Sequence, residues 1–240
     1  MQQGNSRALQ GARSGQRIPD QGCTSDAGRP AGKAGEFNRY RGCWNGETVA
    51  VIASGPSAQE QDARRLKLAC GAVLCVNNAL TLCPEADAIY ACDHQWWENN
   101  KSIHLPFEGL KFTYSEPAAK KYAVCQVPSE DGKGIGVYAM RKGGWSGRGG
   151  NGGFQAMNIA YLLGAKRIIL YGYDMQRTRG KTHFHGDHKH TSNPSPHMLA
   201  DWCKAYNHAY NELLALGVEV LNATRDTALE CFPRVELEDL

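Results

Sequence analysis

The stretch TVAVIASGPS, Thr48 to Ser57, joins a short continuous apolar run to a Gly-Pro-Ser turn. A run of this length with no polar alternation is the pattern of a strand buried on both faces, as in a parallel sheet. The segment after the turn, AQEQDARRLK, reads as a helix, and GAVLCVNNA reads as a second strand. Strand, tight turn, helix, strand is the repeating unit of α/β folds.

The same alternation runs outward to the end of the chain. ADAIYACD is a third strand that ends in a carboxylate and leads into HQWWENN, a loop or helix start. LKFTYSE and YAVCQVP read as short strands, MRKGGWSGRGGNGG as a glycine-rich loop, and FQAMNIAYLLGA as a helix with Gly164 near its C-terminus. KRIILYGYD is a strong strand closing on Asp174. After a histidine-rich loop, PHMLADWCKAYNHAYNELLALG is a long amphipathic helix, and VEVLNAT is a last strand. These elements predict a Rossmann-like, doubly wound, mostly parallel sheet in one domain spanning 44–240. Ligands of such sheets bind beyond the carboxyl ends of the strands. Gly55, Pro56, Ser57, Asn77, Asn78, Asp93, Asp174 and the histidine-rich loop all fall on that edge.

Residues 1–40 differ in kind. They are rich in Gly, Arg, Gln, Ser and Ala and poor in large apolar residues, the composition of a disordered basic leader. The formal net charge of the 240-residue chain is only +3, far from the footprint of a dedicated DNA-binding domain. No apolar run is long enough to span a membrane, and no signal-peptide core is evident. The nine cysteines contain no CxxC pair and several sit in apolar runs, so they read as reduced thiols of a cytoplasmic protein.

Four motifs carry chemistry. Ser54, Gly55, Pro56 and Ser57 form a strand-to-helix turn in which backbone N–H groups can face a phosphate, although a plain capped turn has the same sequence. Asn77 and Asn78 close a strand with side chains that both donate and accept, suited to a ribose or a base edge. Asn151, Gly152 and Gly153 precede a helix and form a second candidate anion loop. THFHGDH, Thr182 to His188, has the His-x-His-x-Asp-His form of a dinuclear zinc site made by His183, His185, Asp187 and His188. A basic, polar segment precedes it instead of an apolar strand. The only histidines downstream are His190, His197 and His208, which do not complete a second ligand set. A single histidine suffices as a general base.

The order of these motifs resembles the bacterial sialyltransferases of glycosyltransferase family 42 and the related 6-hydroxymethylpterin pyrophosphokinase-like family, over roughly residues 48–233. VIASGPS is similar to that family's nucleotide-contacting turn and CVNNA to its Asn-ending strand. AIYACDHQWWEN resembles its paired-aromatic loop, and NGGFQAMNIAYLLGAKRIILYGYD its helix followed by a strand closing on Gly-x-Asp. HFHG fits its general-base stretch, with His183 in the base position. Ser54 stands where the family has Asn, and Gly152 where it has Ser. The tyrosines that grip the donor phosphate are replaced after Asp174 by MQRTRGK, where Arg177, Arg179 or Lys181 can supply charge.

The resemblance implies a glycosyltransferase-like enzyme acting on a nucleotide-activated donor such as a nucleotide sugar. Asp93 and Asp174 would bind hydroxyls or orient a base, His183 would deprotonate an acceptor hydroxyl, and no cofactor would be required. A hydroxymethylated base in DNA is one acceptor that fits. A second reading is a Mg²⁺- and ATP-dependent pyrophosphokinase acting on a hydroxymethyl compound, with the two aspartates placing the metal. A third is a nucleic-acid-binding accessory protein using the basic leader and Trp145. A zinc metallohydrolase built on the histidine-rich stretch ranks below these.

Overall fold

The computed structural model describes residues 34–146, 150–187 and 193–240. Thr48–Ile52 is β1, followed by α1 (Glu60–Ala69), β2 (Ala72–Val76) and β3 (Ala88–Tyr90). Next come α2 (His94–Asn99), α3 (Lys101–His104), β4 (Leu110–Thr113), α4 (Glu116–Tyr122) and β5 (Cys125–Gln126). Two short strands, β6 (Ser129–Glu130) and β7 (Met140–Arg141), pair with each other outside the main sheet. The chain closes with α5 (Gly152–Leu162), β8 (Arg167–Tyr171), α6 (Pro196–Ala215) and β9 (Glu219–Asn222).

The main sheet has seven strands in the order β5-β4-β3-β2-β1-β8-β9, all parallel. From β1 the chain winds outward to β5, then returns to lay β8 on the other side of β1. The strand order therefore reverses between β1 and β8, which is the position where doubly wound sheets open a binding crevice.

Burial explains the winding. Val49, Val51, Leu74, Ile168 and Leu170 face one layer, packed with α5 and α6. Ala50, Ile52, Val73, Cys75 and Ile169 face the other, packed with α1, α2 and α4. Both faces of the central strands are dry, so the apolar runs lack alternation. Each fully buried aliphatic side chain contributes about 1.5–3 kcal/mol relative to exposure.

The domain begins earlier than its composition implies. Residues Ala34–Tyr40 form a 3-10 helix, with Phe37 and Tyr40 buried edge-to-face on Phe112 at 5.8 and 5.6 Å. Two aromatic side chains give this segment enough apolar surface to dock, so it belongs with the core and not with the leader. The expectation of disorder for residues 1–33 lies outside the described residues. Also unforeseen were α4 between β4 and β5, and the β6–β7 pair. Buried Asn158 holds the loop of that pair by accepting from the N–H groups of Gly136 and Arg141 and donating to Gly136 O. Among the described residues, no helix is long and apolar enough to cross a membrane, and the described cysteines are free thiols.

HQWWENN is α2. Trp97 is fully buried, and its ring packs with His104 at 4.9 Å and Tyr122 at 6.4 Å. His104 is 1% exposed, and its Nε2 lies 2.7 Å from Trp97 O. Burial pushes the His104 pKa below its ordinary value, against the smaller opposing effect of that hydrogen bond. The folded state then holds fewer protons than the unfolded chain as pH falls below about 6.5, so the stability from neutral His104 is full above that pH and is lost on acidification. Thermal unfolding between pH 7.5 and 5.5 should show a larger fall in Tm for wild type than for His104→Gln; equal slopes would remove His104 as the cause.

Candidate functional site

The crevice between β1 and β8 opens into a cleft of about 590 Å³. Its floor starts from one carboxylate. Asp174 follows β8, is 2% exposed, and accepts three hydrogen bonds. Ser57 donates from its N–H at 3.1 Å and from Oγ at 2.7 Å, and Thr178 donates from Oγ1 at 2.6 Å. Burial raises the Asp174 pKa, while the bonds from Thr178 and Ser57 act in the opposite direction. The carboxylate thus ties the β1 turn, the end of β8 and the loop after it into one unit.

Gly55 is needed for that approach. Its N–H donates to Gly172 O at 2.8 Å, and a Cβ there would lie 2.0 Å from Asp174 Oδ1 and 2.4 Å from Gly172 O. Ser57 is therefore occupied with Asp174 rather than free to bind phosphate, and neither Ser57 nor Pro56 faces the cleft. Asn78 also turns away: its Oδ1 accepts from Trp96 Nε1 at 2.7 Å. Ser57 and Asn78 thus bond to other protein side chains, and Pro56 does not line the cleft. Asp174 lines the cleft, and its oxygens tie the β1 turn to the loop after β8.

Ser54, Gly55, Asn77, Asp93, Asn151, Gly152, Gly153 and His183, candidates drawn from five separate connections, all line the cleft. Asn151 caps α5, accepting from Phe154 N–H at 2.8 Å. Its Oδ1 also accepts from Tyr206 Oη at 2.9 Å, and Tyr173 Oη donates to Gly153 O at 2.9 Å. Two buried tyrosines thus fix the start of α5. The N–H groups of Gly152 and Gly153, in the first helical turn, have no acceptor within the helix and open on the cleft, at its positive dipole end.

The loop carrying His183 is sewn to the β1 turn by Phe184 N–H donating to Ser54 O at 3.0 Å. The rings of His183 and His185 lie nearly parallel, with centroids 5.2 Å apart and planes 5° from parallel. Among the described residues, no group of three or more His, Cys, Asp or Glu side chains is arranged to hold a metal. Asp187 is exposed, and His188 lies outside the described residues.

The sequence reading missed the opposite wall. Met198, Leu199 and Trp202 of α6 cover the cleft, whereas the core-facing side chains of that helix, Ala205, Tyr206, Ala209 and Leu213, come from its later turns. The signal was present as two apolar sets along one long helix. Thr182 and Gln95 were missed as well. Trp145 is not a free stacking surface: it meets His208 edge-to-face at 5.5 Å, with Lys133 Nζ 3.9 Å from its ring centre. Arg177, Arg179 and Lys181 are exposed and do not line the cleft.

Three buried polar atoms on cleft-lining residues have no hydrogen-bond partner among the described residues: Asn77 Oδ1, Thr182 Oγ1 and Trp202 Nε1. Buried polar groups are nearly always satisfied, so three orphans around one cavity mark the place of a ligand or ordered water.

No protein-family model, curated protein or solved structure matches the chain. Geometry separates glycines with no room for a Cβ from those that could take one. Gly55→Ala should destabilise by roughly 1–3 kcal/mol through overpacking against Asp174. Gly152→Ala, whose Cβ would meet only Val76 Cγ1 at 3.4 Å, should be neutral or stabilising by up to about 1 kcal/mol. Urea unfolding of both variants checks this; equal losses would show that Gly55 is not the tight position.

Proposed function

We propose that the cleft binds the nucleotide of an activated donor, such as a nucleotide sugar, and that the protein transfers the activated group to an acceptor hydroxyl. The supporting observation is the convergence, at the sheet's reversal point, of the α5 N-terminus with the unpartnered Asn77, Thr182 and Trp202 atoms. The Gly152 and Gly153 N–H groups and the Thr182 hydroxyl suit a phosphate oxygen. Asn77 suits a ribose hydroxyl or a base edge. Trp202, Leu199 and Met198 supply an apolar wall for a planar ring.

In the transfer, the acceptor oxygen attacks the activated carbon of the donor. The bond from that carbon to the phosphate oxygen breaks, and the nucleotide leaves with the electron pair. His183, at the cleft, takes the acceptor proton. Asp93, exposed on the same edge, can orient acceptor hydroxyls. Asp174 acts through position, holding the loop that carries His183. The sequence resemblance to family 42 sialyltransferases supports the same chemistry. A pyrophosphokinase using Asp93 and Asp174 to place Mg²⁺ is less well supported, because the Asp174 oxygens already accept three hydrogen bonds.

A panel of nucleotides and nucleotide sugars tests the reading by thermal shift. A ligand at 100 times its Kd stabilises by about 2.7 kcal/mol, or roughly 5–10 °C for a domain of this size. His183→Ala should keep that shift while losing about 10²- to 10⁴-fold in turnover, and turnover should survive EDTA. No shift with any nucleotide would sink the donor site; undiminished turnover in His183→Ala would sink the base.

A further inference from the structure

Beside the cleft, the segment QRTRGK, 176–181, folds back on itself. Thr178 and Lys181 form an antiparallel bridge with both backbone hydrogen bonds at 3.1 Å. The two residues between them, Arg179 and Gly180, have φ of 51° and 76°. Positive φ at both centres is the pattern of a type I′ turn, which favours Asn-Gly. Arginine in that first position is strained, because its Cβ crowds the backbone in the left-handed region. A strained residue at a loop tip beside a cleft is where a functional demand overrides local preference.

The demand is visible in the charges. Arg177, Arg179 and Lys181 are all exposed, and none makes an ion pair among the described residues. Most other basic side chains of the domain are paired: Arg64 with Glu60, Lys67 with Asp87, Lys120 with Glu116, Arg141 with Glu130. The hairpin runs directly into Thr182 and His183, and Gln176 at its base lines the cleft. Its nearest acidic neighbours along the chain are Asp174, buried and engaged, and Asp187. None of the large exposed apolar side chains belongs to it. A membrane-surface contact wants apolar residues beside the cations; a cation-only tip with guanidinium forks suits phosphodiester oxygens.

We propose that the 176–181 hairpin grips the phosphate backbone of duplex DNA and brings the hydroxymethyl group of a modified base in that polymer to His183. The choice of reacting hydroxyl rests on the transferase reading; the binding does not. Salt-dependent binding of the full chain to a fluorescein-labelled 20-base-pair duplex tests it. Each phosphate contact contributes about 0.9 to the slope of log K against log salt, so removing three contacts should reduce that slope by about 2.7. Arg177→Ala/Arg179→Ala/Lys181→Ala should show this reduction. The charge-matched Arg64→Ala/Lys101→Ala/Lys120→Ala should keep the wild-type slope. Arg179→Asn should raise Tm, since Asn tolerates the turn, and yet weaken DNA binding. An unchanged slope in the hairpin variant, an equal loss in the charge-matched variant, or binding to phosphatidylserine vesicles without binding to duplex would overturn the proposal. A nucleotide-induced Tm shift that persists in that case leaves the donor site standing, and its absence alongside normal DNA binding removes the transferase reading alone.

Discussion

The site depends on one buried carboxylate. Asp174 sits where the sheet reverses its winding, and its two oxygens collect donors from three pieces of chain: the β1 turn, the loop after β8, and through that loop the histidine-bearing segment. Its own backbone oxygen accepts from Ala228 N–H at 2.8 Å, which adds the C-terminal segment. A buried carboxyl without partners costs several kcal/mol, so such a group persists only where its bonds are nearly complete. Completing them requires Gly55, since any Cβ there would occupy the place of the carboxylate oxygen. Clamp and glycine are one device.

The floor made this way is polar and rigid, and the opposite wall is apolar. Helix α6 serves two layers along its length. Its later turns bury Ala205, Tyr206, Ala209 and Leu213 against the sheet, while its first two turns project Met198, Leu199 and Trp202 over the cleft. The same helix braces the glycine-rich loop, since Asp201 accepts from Trp145 N–H and Ser146 N–H at 3.1 Å. A cavity with fixed donors on one side and an aromatic wall on the other orients a ligand that has an anionic and a planar part.

The two proposals divide the edge of the sheet. In the first the cleft would take the donor, with α5 supplying N–H groups to an anion, and in the second the rim would take the acceptor, with the 178–181 turn presenting charge. His183 lies at the cleft on the segment that directly follows that turn. The loop that carries His183 and His185 is anchored to the β1 turn, with Phe184 N–H donating to Ser54 O, and the two rings lie 5.2 Å apart and nearly parallel.

The sequence by itself determined the layers. Apolar runs without alternation, such as VAVI and RIILY, have to be strands covered on both faces, and the seven strands so read are the seven of the main sheet. It also placed Gly55, Asn77, Asp93, Asp174 and the histidine-rich loop on one edge, because parallel strands put all their carboxyl ends together. It did not separate binders from braces. Ser57 and Asn78 have the side chains of ligand contacts, and only their distances to Asp174 and Trp96 show them occupied. The docking of Phe37 and Tyr40 was hidden by the polar composition around them, and Trp202 by an amphipathic pattern that does not say which apolar face meets a core and which a cavity. Partner choice in three dimensions decided these, since a hydrogen-bonding side chain or an apolar stripe is defined in sequence by what it can contact and in the fold by what it does contact.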